Sequence, residues 1–523
     1  MTTIPSDSSM RLAELIAALS MAADLGSGQP IGEALHSTVL AVRLGEVAGL
    51  DERDLADTYY ASLLRWVGCH AGADLAAAVL GDERAFRGWT DTVDMGKPSE
   101  VLATMLRHLG EGATPLERVR ILTTAIVGIP RLMDQTSAHC EVAQLMAQRL
   151  GLGSGIRKAL GDAFERWNGA GLPRKLRGEA IALPMRVTLI AQEAEAFRRV
   201  AGVDAAVAMV RDRAGGAYDP HLAALFCTHA PRLFASRAEP ESAWEAALAA
   251  EPGRRPLLIQ SAELDNAIRV MADFTDLKTS YTVGHSAGVG NLAAAAAQQC
   301  GMSEAEITTL RHAGYLHDIG QAGISASVIV KPGRLNDAEW EQMRLHTYYT
   351  ERVLARPRAL SKVGAIAAQH HERLDGSGYH RAAPGVQQAP AVRLLAAAEA
   401  YHAMTEERAH RPALSAEAAA TELQREAKVG RLDADAVRAV LAASGHRVRA
   451  TRRQWPAGLS DREVEVLRLV ARGLSNKQMG RELSISKDTA GHHVRHIYDK
   501  LGVSTRAAAT LFAMQHDLLA AEK

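Results

Sequence analysis

Aromatic residues make up only 4% of this 523-residue chain, and stretches in which Val, Ile, Thr and aromatics alternate with polar residues are almost missing. That shortage argues against β-sheets, whose strands draw on those residue types. Cysteine is scarce too: Cys69, Cys140, Cys227 and Cys300 lie far apart and form no Cys-x-x-Cys pair. A disulfide framework and a thiolate zinc site are thereby excluded, and the thiols read as ordinary buried groups in a reducing compartment. Sixty basic residues balance sixty acidic ones, so any basic surface for nucleic acid has to be local. No segment reaches the roughly twenty apolar residues that span a bilayer. The amino terminus, MTTIPSDSSMRLAELIAALS, lacks the basic-then-apolar order of a secretory signal. A soluble, cytoplasmic protein with no membrane partner is the expectation.

Alanine- and leucine-rich segments are abundant instead, with Arg and Glu on the opposite face, and they predict an all-α fold. The length exceeds the roughly 100–200 residues of a typical single core, so several domains are expected. Helical periodicity breaks at Gly215–Pro220, at Glu251–Pro256 and at His446–Gly458, where Gly, Pro and charge take over. The chain also repeats itself. One displacement in residue number lays FERWNGAGLP (Phe164 to Pro173) over HERLDGSGYH (His371 to His380) and His139 over His346. Further upstream, YASLLRWVG (Tyr60 to Gly68) matches HAGYLHDIG (His312 to Gly320) at a larger displacement, because the first copy holds roughly forty-five extra residues between Cys69 and Gln135. The expected order is a tail over 1–20, a first helical domain over 21–236, a linker over 237–256, a second helical domain over 257–445, a basic linker over 446–457 and a carboxyl-terminal domain over 458–523.

The two copies differ in chemistry. The second has His317-Asp318, His370-His371 and Glu399, where the first has Arg65-Trp66, Ala163-Phe164 and Gln192. Divalent ions need several imidazoles and carboxylates converging on one point, which facing helices can supply. A carboxylate beside a histidine can bridge two ions that clamp a phosphate oxygen and activate water. The segments GHS at Gly284, HAGYLHDIG, KPGRL at Lys331, MRLH ending at His346, HHERLDGSGY and AEAYHAMT at Ala398 together resemble the HD-GYP branch of the HD phosphohydrolase superfamily, over about residues 275 to 443. The resemblance implies a pair of divalent metals, commonly iron or manganese, ligated by His285, His317, Asp318, His346, His370, His371 and Glu399. It implies hydrolysis of a cyclic dinucleotide such as cyclic di-GMP, with His317 and Asp318 central to catalysis, and a ligand surface including Lys278, Gln321, Gly376, Gly378 and Tyr379.

The chain departs from the family pattern in four places. Glu399 stands where Asp is usual, which keeps the charge on a longer arm. Gln321 replaces a Lys that reaches substrate phosphate, and a neutral amide cannot supply that point charge. His380 replaces a Pro and frees one φ angle. Tyr281 occupies the place of a carboxylate that some members add, which favours two metals over three. Gly376 and Gly378 admit two readings, close approach of backbone to a ligand or a left-handed loop. Asp276 also matches a family residue, a solvated helix face being its alternative. The first copy resembles an HD domain that has lost its metal set: it keeps His139 and has Glu33 near the place of the first His. Sensing, dimer contact and structural support are its open roles.

Near the carboxyl end three helices are marked by their punctuation. Ser460 with Glu463 forms a capping box and Gly473 a stop, a second helix is predicted over 476–483, and a third runs from the cap Ser486 to Gly502. Val464, Leu467, Val470, Met479, Leu483, Val494, Ile497 and Leu501 recur at helical spacing as a shared core. LSDREVEVL, GLSNKQMGRELSIS and TAGHHVRHIYDKLGVSTR closely resemble the LuxR-type helix-turn-helix, which adds a fourth helix over 505–517. The resemblance implies that the third helix reads the major groove of double-stranded DNA and that the protein is a homodimer. Lys477, Lys487, Thr489, His492, His493, Arg495, His496 and Lys500 are the expected DNA-facing residues. Ala490, where valine is commoner, is expected to bear on base preference, and Arg447, Arg449, Arg452 and Arg453 on sequence-independent phosphate contacts. The leading expectation is a transcription regulator whose metal domain hydrolyses or senses a phosphorylated nucleotide. The alternatives are a catalytically silent nucleotide sensor, and a phosphodiesterase whose carboxyl-terminal domain serves only dimerisation.

Overall fold

A computed structural model describes residues 10–235, 243–253, 255–382, 385–446, 455–516 and 518. The fold is all-α. Among the described residues the only sheet is a two-residue antiparallel ladder that pairs Met10–Arg11 with Leu258–Ile259. The chain divides into two compact units, residues 1–446 and 447–523. The arginines of the basic linker, Arg447, Arg449, Arg452 and Arg453, lie outside the described residues.

Both sequence copies fall within the first unit and share a core. The helix Leu12–Gly26 is apolar on nearly every face, with Leu15, Ile16 and Leu19 fully buried, and a helix of that kind is stable only when surrounded. It packs against Glu33–Val47 and Glu52–Leu64 of the first copy, and against Ile319–Gly323 and Asp337–Leu354 of the second. The tail expected over 1–20 is therefore corrected: from Met10 onward it is interior structure. The linker expected over 237–256 likewise contains a helix, Ala243–Ala249, whose Trp244 is buried. Arg11 ties it down by donating to the Leu248 carbonyl at 2.9 Å and pairing with Glu251 at 2.6 Å.

A second seam joins the copies. His70 stacks on Phe274 with ring centroids 4.3 Å apart, and Ala73, Ala77 and Ala326 pack together. Glu83, at the start of the helix Glu83–Thr90, accepts from Ser325 Oγ and from the Ala326 amide, both at 2.9 Å. Lys278 Nζ lies 3.8 Å from Glu83 and donates to the Ala322 carbonyl at 2.8 Å. Lys278 is only 2% exposed, so it is a buried strut between the copies and not part of a ligand surface.

In the second unit the punctuation read from sequence governs the elements. Ser460 caps Asp461–Ala471 with a full capping box to Glu463, Ser475 caps Asn476–Glu482 with Gln478, and Ser486 caps Lys487–Leu501. Gly502 ends that helix at φ 64°, a conformation open to glycine at no steric cost. The fourth helix spans Arg506–Gln515. Val464, Leu467, Val470, Met479 and Ile497 are buried, and Leu483, Val494 and Leu501 pack on them partly covered.

Burial pushes the Lys278 ammonium down to about 7 against the attraction of Glu83. Its unfolded value is near ~10.4, so between these pH values the unfolded chain binds more protons, and stability should rise with pH from 7 towards 10. The rise is at most ~1.4 kcal/mol per pH unit. Urea midpoints at pH 7, 8 and 9 should show this gain in the native chain and a smaller one in Lys278→Met. Glu83→Ala, which strands the lysine, should cost about 3–5 kcal/mol.

A candidate metal centre in the second copy

Local structure explains how each ligand candidate is presented. His285 opens the helix His285–Gln299 behind Gly284, whose φ is 82°. Asp276 holds that helix start by accepting from the Ser286 amide at 3.0 Å and from Ser286 Oγ at 2.6 Å. Asp276 thus has a capping role in place of a solvated one. His317 ends the helix Glu304–Leu316, and Asp318 precedes the tight turn Ile319–Gly323. Thr350 binds that turn to the helix carrying His346, donating to the His317 carbonyl at 2.9 Å and accepting from the Gly320 amide at 3.1 Å. A Cβ on Gly320 would lie 2.0 Å from the His346 carbonyl oxygen, so glycine is what permits this approach. His370 and His371 follow Ser361–Ala367, and Glu399 lies in Pro390–Thr405.

Three rings are locked in the same way. Nδ1 of His317, His346 and His370 donates to the carbonyl three residues earlier, on Gly314, Met343 and Ala367, at 2.7, 2.5 and 2.7 Å. In the neutral rings this leaves each Nε2 as a lone pair facing the interior. The Nε2 atoms of His346 and His370 lie 3.1 Å apart, two acceptors in contact with no proton between them. Asp318 sits among them. Its Oδ1 is 3.5 and 3.4 Å from Nε2 of His346 and His370, and its Oδ2 is 3.3 and 3.8 Å from Nε2 of His317 and His285. His317 Nε2 and Asp318 Oδ1 are buried without a hydrogen-bond partner. Converging lone pairs and an orphaned carboxylate oxygen in a closed site are what a divalent cation satisfies, so these residues fit one.

The donors form two sets, His346 with His370 and His371, and His285 with His317 and Asp318. Glu399 is buried beside the first, 3.9 Å from His371 Nδ1. A third set, His285 with His402 and Glu406, was not anticipated from sequence. His402 and Glu406 follow Glu399 by about one and two helical turns, so helical spacing along AEAYHAMTEE carried the signal. Glu406, which His285 and His402 hold below the usual carboxylate range against burial, accepts from His285 Nδ1 at 2.7 Å, and Arg408 pairs with it at 2.9 Å.

Electrostatics follow from burial. Desolvation holds His285 down to about 4 and His370 down to about 3, and lowers His346 and His371 as well. These rings are therefore neutral and ready to ligate. Burial acts on His317 in the same direction, but the Asp318 carboxylate overcomes it and raises His317 to about 9. Burial would raise Asp318, yet His317 and the neighbouring rings hold it well below the usual carboxylate range. Desolvation raises Glu399.

The remaining expected ligand-surface residues divide. Tyr379 lies against His371, centroids 4.7 Å apart, with the Arg344 guanidinium 5.9 Å from its ring. Gln321 donates its amide to Asp318 Oδ2 at 2.6 Å and so steadies the aspartate. Gly376 has φ 76°, and a Cβ on Gly378 would fall 2.5 Å from the Arg373 amide and the His371 carbonyl. Both glycines answer demands of the backbone. His380 meets Thr347 Oγ1 at 3.2 Å and Glu351 at 3.3 Å.

In the first copy a side chain fills the corresponding place. Arg65, only 6% exposed, bonds through Nη1 to Gln192 Oε1 and through Nε to the Ala163 carbonyl at 3.2 Å. Glu33 pairs with Arg199 at 3.2 Å. Among the described residues no metal-type cluster forms there.

In the second unit Lys477, Lys487, Thr489, His492, Arg495 and His496 are exposed and His493 is half-buried. Lys500 is exposed as well, and it bonds Glu463 at 2.6 Å and the Gly458 carbonyl at 2.9 Å. One expectation is corrected. Ala490 is fully buried in the core, so its size is a packing matter and not one of base contact.

Residues 269–436 match the model of the HD domain, and residues 457–513 match that of bacterial regulatory proteins of the luxR family. The chain joins an HD domain to a luxR-family regulatory domain. It is 29% identical over 409 residues, 77% of its own length and 88% of the relative's, to 3'3'-cGAMP-specific phosphodiesterase 3 of Vibrio cholerae. Two further relatives are covered over 40% of their length: 3'3'-cGAMP-specific phosphodiesterase 1 of Vibrio cholerae at 32% identity over 33% of this chain, and a cyclic di-GMP phosphodiesterase of Thermotoga maritima at 34% over 28%. The crystal structure of a cyclic GMP-AMP specific phosphodiesterase of V. cholerae superposes with a TM-score of 0.58 at 24% identity, covering 84% of this chain and 99% of that one. The fold is therefore shared across both copies. No single helix among the described residues is long and apolar enough to cross a membrane.

A divalent cation held in the HD domain should stabilise the native state by linkage, about 2.7 kcal/mol at a hundred times its dissociation constant. Melting curves with manganese or with a chelator should differ for the native chain and coincide for Asp318→Ala.

Proposed function

We propose that this chain is a DNA-binding regulator whose HD domain hydrolyses a phosphodiester bond of a cyclic dinucleotide with two divalent ions, iron or manganese. The observation that carries the reading is the double engagement of Asp318, one oxygen facing His346 and His370 and the other facing His285 and His317. One ion would rest on His346, His370 and His371, the other on His285 and His317, with Asp318 common to both and Glu399 beside the first. Bound there, such a pair supplies Lewis acidity towards phosphate and towards water. The locked Nδ1 bonds keep the rings aimed without reorganisation. Gln321 and Thr350 hold the aspartate-bearing turn still. Tyr379 offers an aromatic face beside the His346 set, and Arg344 places a cation over it where a phosphate can be met. The curated relatives named for cyclic dinucleotide hydrolysis support that substrate class.

The second unit supports the DNA half of the reading. Lys487, Thr489, His492, Arg495 and His496 lie exposed along one capped helix, with Lys477 exposed on the preceding one, a placement suited to phosphates and base edges in a major groove.

One specific observation favours a silent sensor as the second reading: the residue after the HDIG segment is a neutral Gln whose amide is already spent on Asp318. Incubation of manganese- or iron-loaded protein with 3'3'-cGAMP and cyclic di-GMP separates the two. Hydrolysis is expected, falling at least a thousandfold in Asp318→Ala, and intact nucleotides with full metal content would establish the sensor. Elemental analysis should find two ions per native chain, about one in His371→Ala and almost none in Asp318→Ala. Duplex binding should weaken steeply with salt, and Lys487→Ala should weaken it on every sequence with a salt slope lower by about one. A chain that shifts no duplex would leave the carboxyl-terminal domain a dimerisation element.

A further inference from the structure

The extra segment of the first copy builds the helix Pro115–Arg149, and none of the functional reading above uses it. One face of its first half is satisfied: Ala125 is buried, and Ile121, Leu122, Ile129 and Leu132 pack with it against Val79, Leu80, Met105 and Leu109. The opposite face is not. Leu116 is 82% exposed and Val127 71%, and Val119, Ile126 and Met133 are also at least half exposed. From Ile121 to Pro130 the helix carries no charged residue. A helix apolar on two faces is stable only when both are covered.

Leu116, Val119, Thr123, Ile126, Pro130 and Met133 follow one another at alternating spacings of three and four, and all six are exposed. That is the a/d seam of a helix pair, in which each side chain inserts between those of an equivalent helix. We propose that this face is the interface between two copies of the chain, paired antiparallel through Leu116 to Met133. Charge selects the orientation. Arg120 and Asp134 flank the seam on the same side, each one residue after a d position, at opposite ends. In an antiparallel pair, where e positions face e positions, Arg120 of one copy lies near Asp134 of the other, twice over; in a parallel pair e positions face g positions, here the uncharged Pro115, Leu122 and Ile129, and neither charge meets an opposite one. The strip is about 25 Å long, and Leu116, Val119, Ile126 and Met133 along it are each at least half exposed, a contiguous apolar stripe of the kind that marks an interaction surface. Gln135 and Cys140 then turn inward, Gln135 against Gly72 and Cys140 into the core, so the seam ends where the helix re-enters the fold. The inference goes beyond the proposed function, and its test needs neither metal nor DNA.

Sedimentation of the full chain, from about 0.1 to 50 µM, tests it. The native chain should be a concentration-dependent dimer, and Val119→Glu/Ile126→Glu should raise the dissociation constant at least about a hundredfold with unchanged circular dichroism and melting. Arg120→Asp and Asp134→Arg should each weaken the dimer about tenfold and, combined, restore most of it; these exposed charge variants keep the test readable if the double glutamate variant misfolds. A native chain that stays monomeric throughout, a dimer unaffected by the seam substitutions, or charge variants that fail to rescue each other would overturn the proposal.

Discussion

A carboxylate buried among neutral imidazoles is the constraint on which the second copy depends. Asp318 is 4% exposed, and a charge so placed is tolerable only with compensation close by. Within the chain the nearest imidazole is that of His317, whose Nε2 lies 3.3 Å from Asp318 Oδ2 and whose interaction with the carboxylate holds Asp318 below its usual range against burial. The rest of the surroundings, His346 and His370 with their Nδ1 protons committed to backbone, offers lone pairs and no positive charge. Ligands locked in their binding tautomer cannot rotate to relieve one another, and a cation at their centre is the remedy that leaves every other bond in place.

The first copy offers a contrast, because Trp66 stands there at the place of Asp318 and no buried carboxylate has to be compensated. Arg65 takes the position of His317 in the repeat and bonds Gln192 and the Ala163 carbonyl, which stand where Glu399 and His370 stand in the second copy. A guanidinium on a side chain carries permanent charge and five donors. Its donors are turned to those oxygens, and among the described residues no metal-type cluster forms around it.

How much of this was legible in the sequence depended on the range of the interaction. Caps and stops act over three or four residues, so Ser460 with Glu463, Ser486 and Gly502 could be placed before any coordinates. The metal donors were legible because their spacing matched a known frame, and because the contrast with Arg65, Ala163 and Gln192 lay in the chain itself. Lys278 was misplaced for the opposite reason. Its partner, Glu83, is nearly two hundred residues away, and a buried lysine and a phosphate-binding lysine look alike in one dimension. Ala490 stands differently because a helix has several faces, and only packing shows that this residue points into the core. The separation into tandem domains also failed to anticipate Leu12–Gly26, whose all-round apolarity was the visible sign that something on both sides must cover it.

That shared helix and the Glu83 seam bear on what the metal-free copy does for its partner. The turn presenting Asp318 runs straight into Ala322, Ser325 and Ala326, and these are the atoms that Lys278 and Glu83 of the seam hold. On the other side the same turn is pinned by Thr350 to the helix that carries His346. The aspartate therefore sits on a segment gripped by both copies, and a shift of the helix Glu83–Thr90 has a short covalent and hydrogen-bonded path to it. Precision in such a site is worth orders of magnitude, since donors displaced by an ångström no longer converge. The first copy is thus hydrogen-bonded to the segment that carries Asp318, a contact that suits structural support among the three roles its sequence left open.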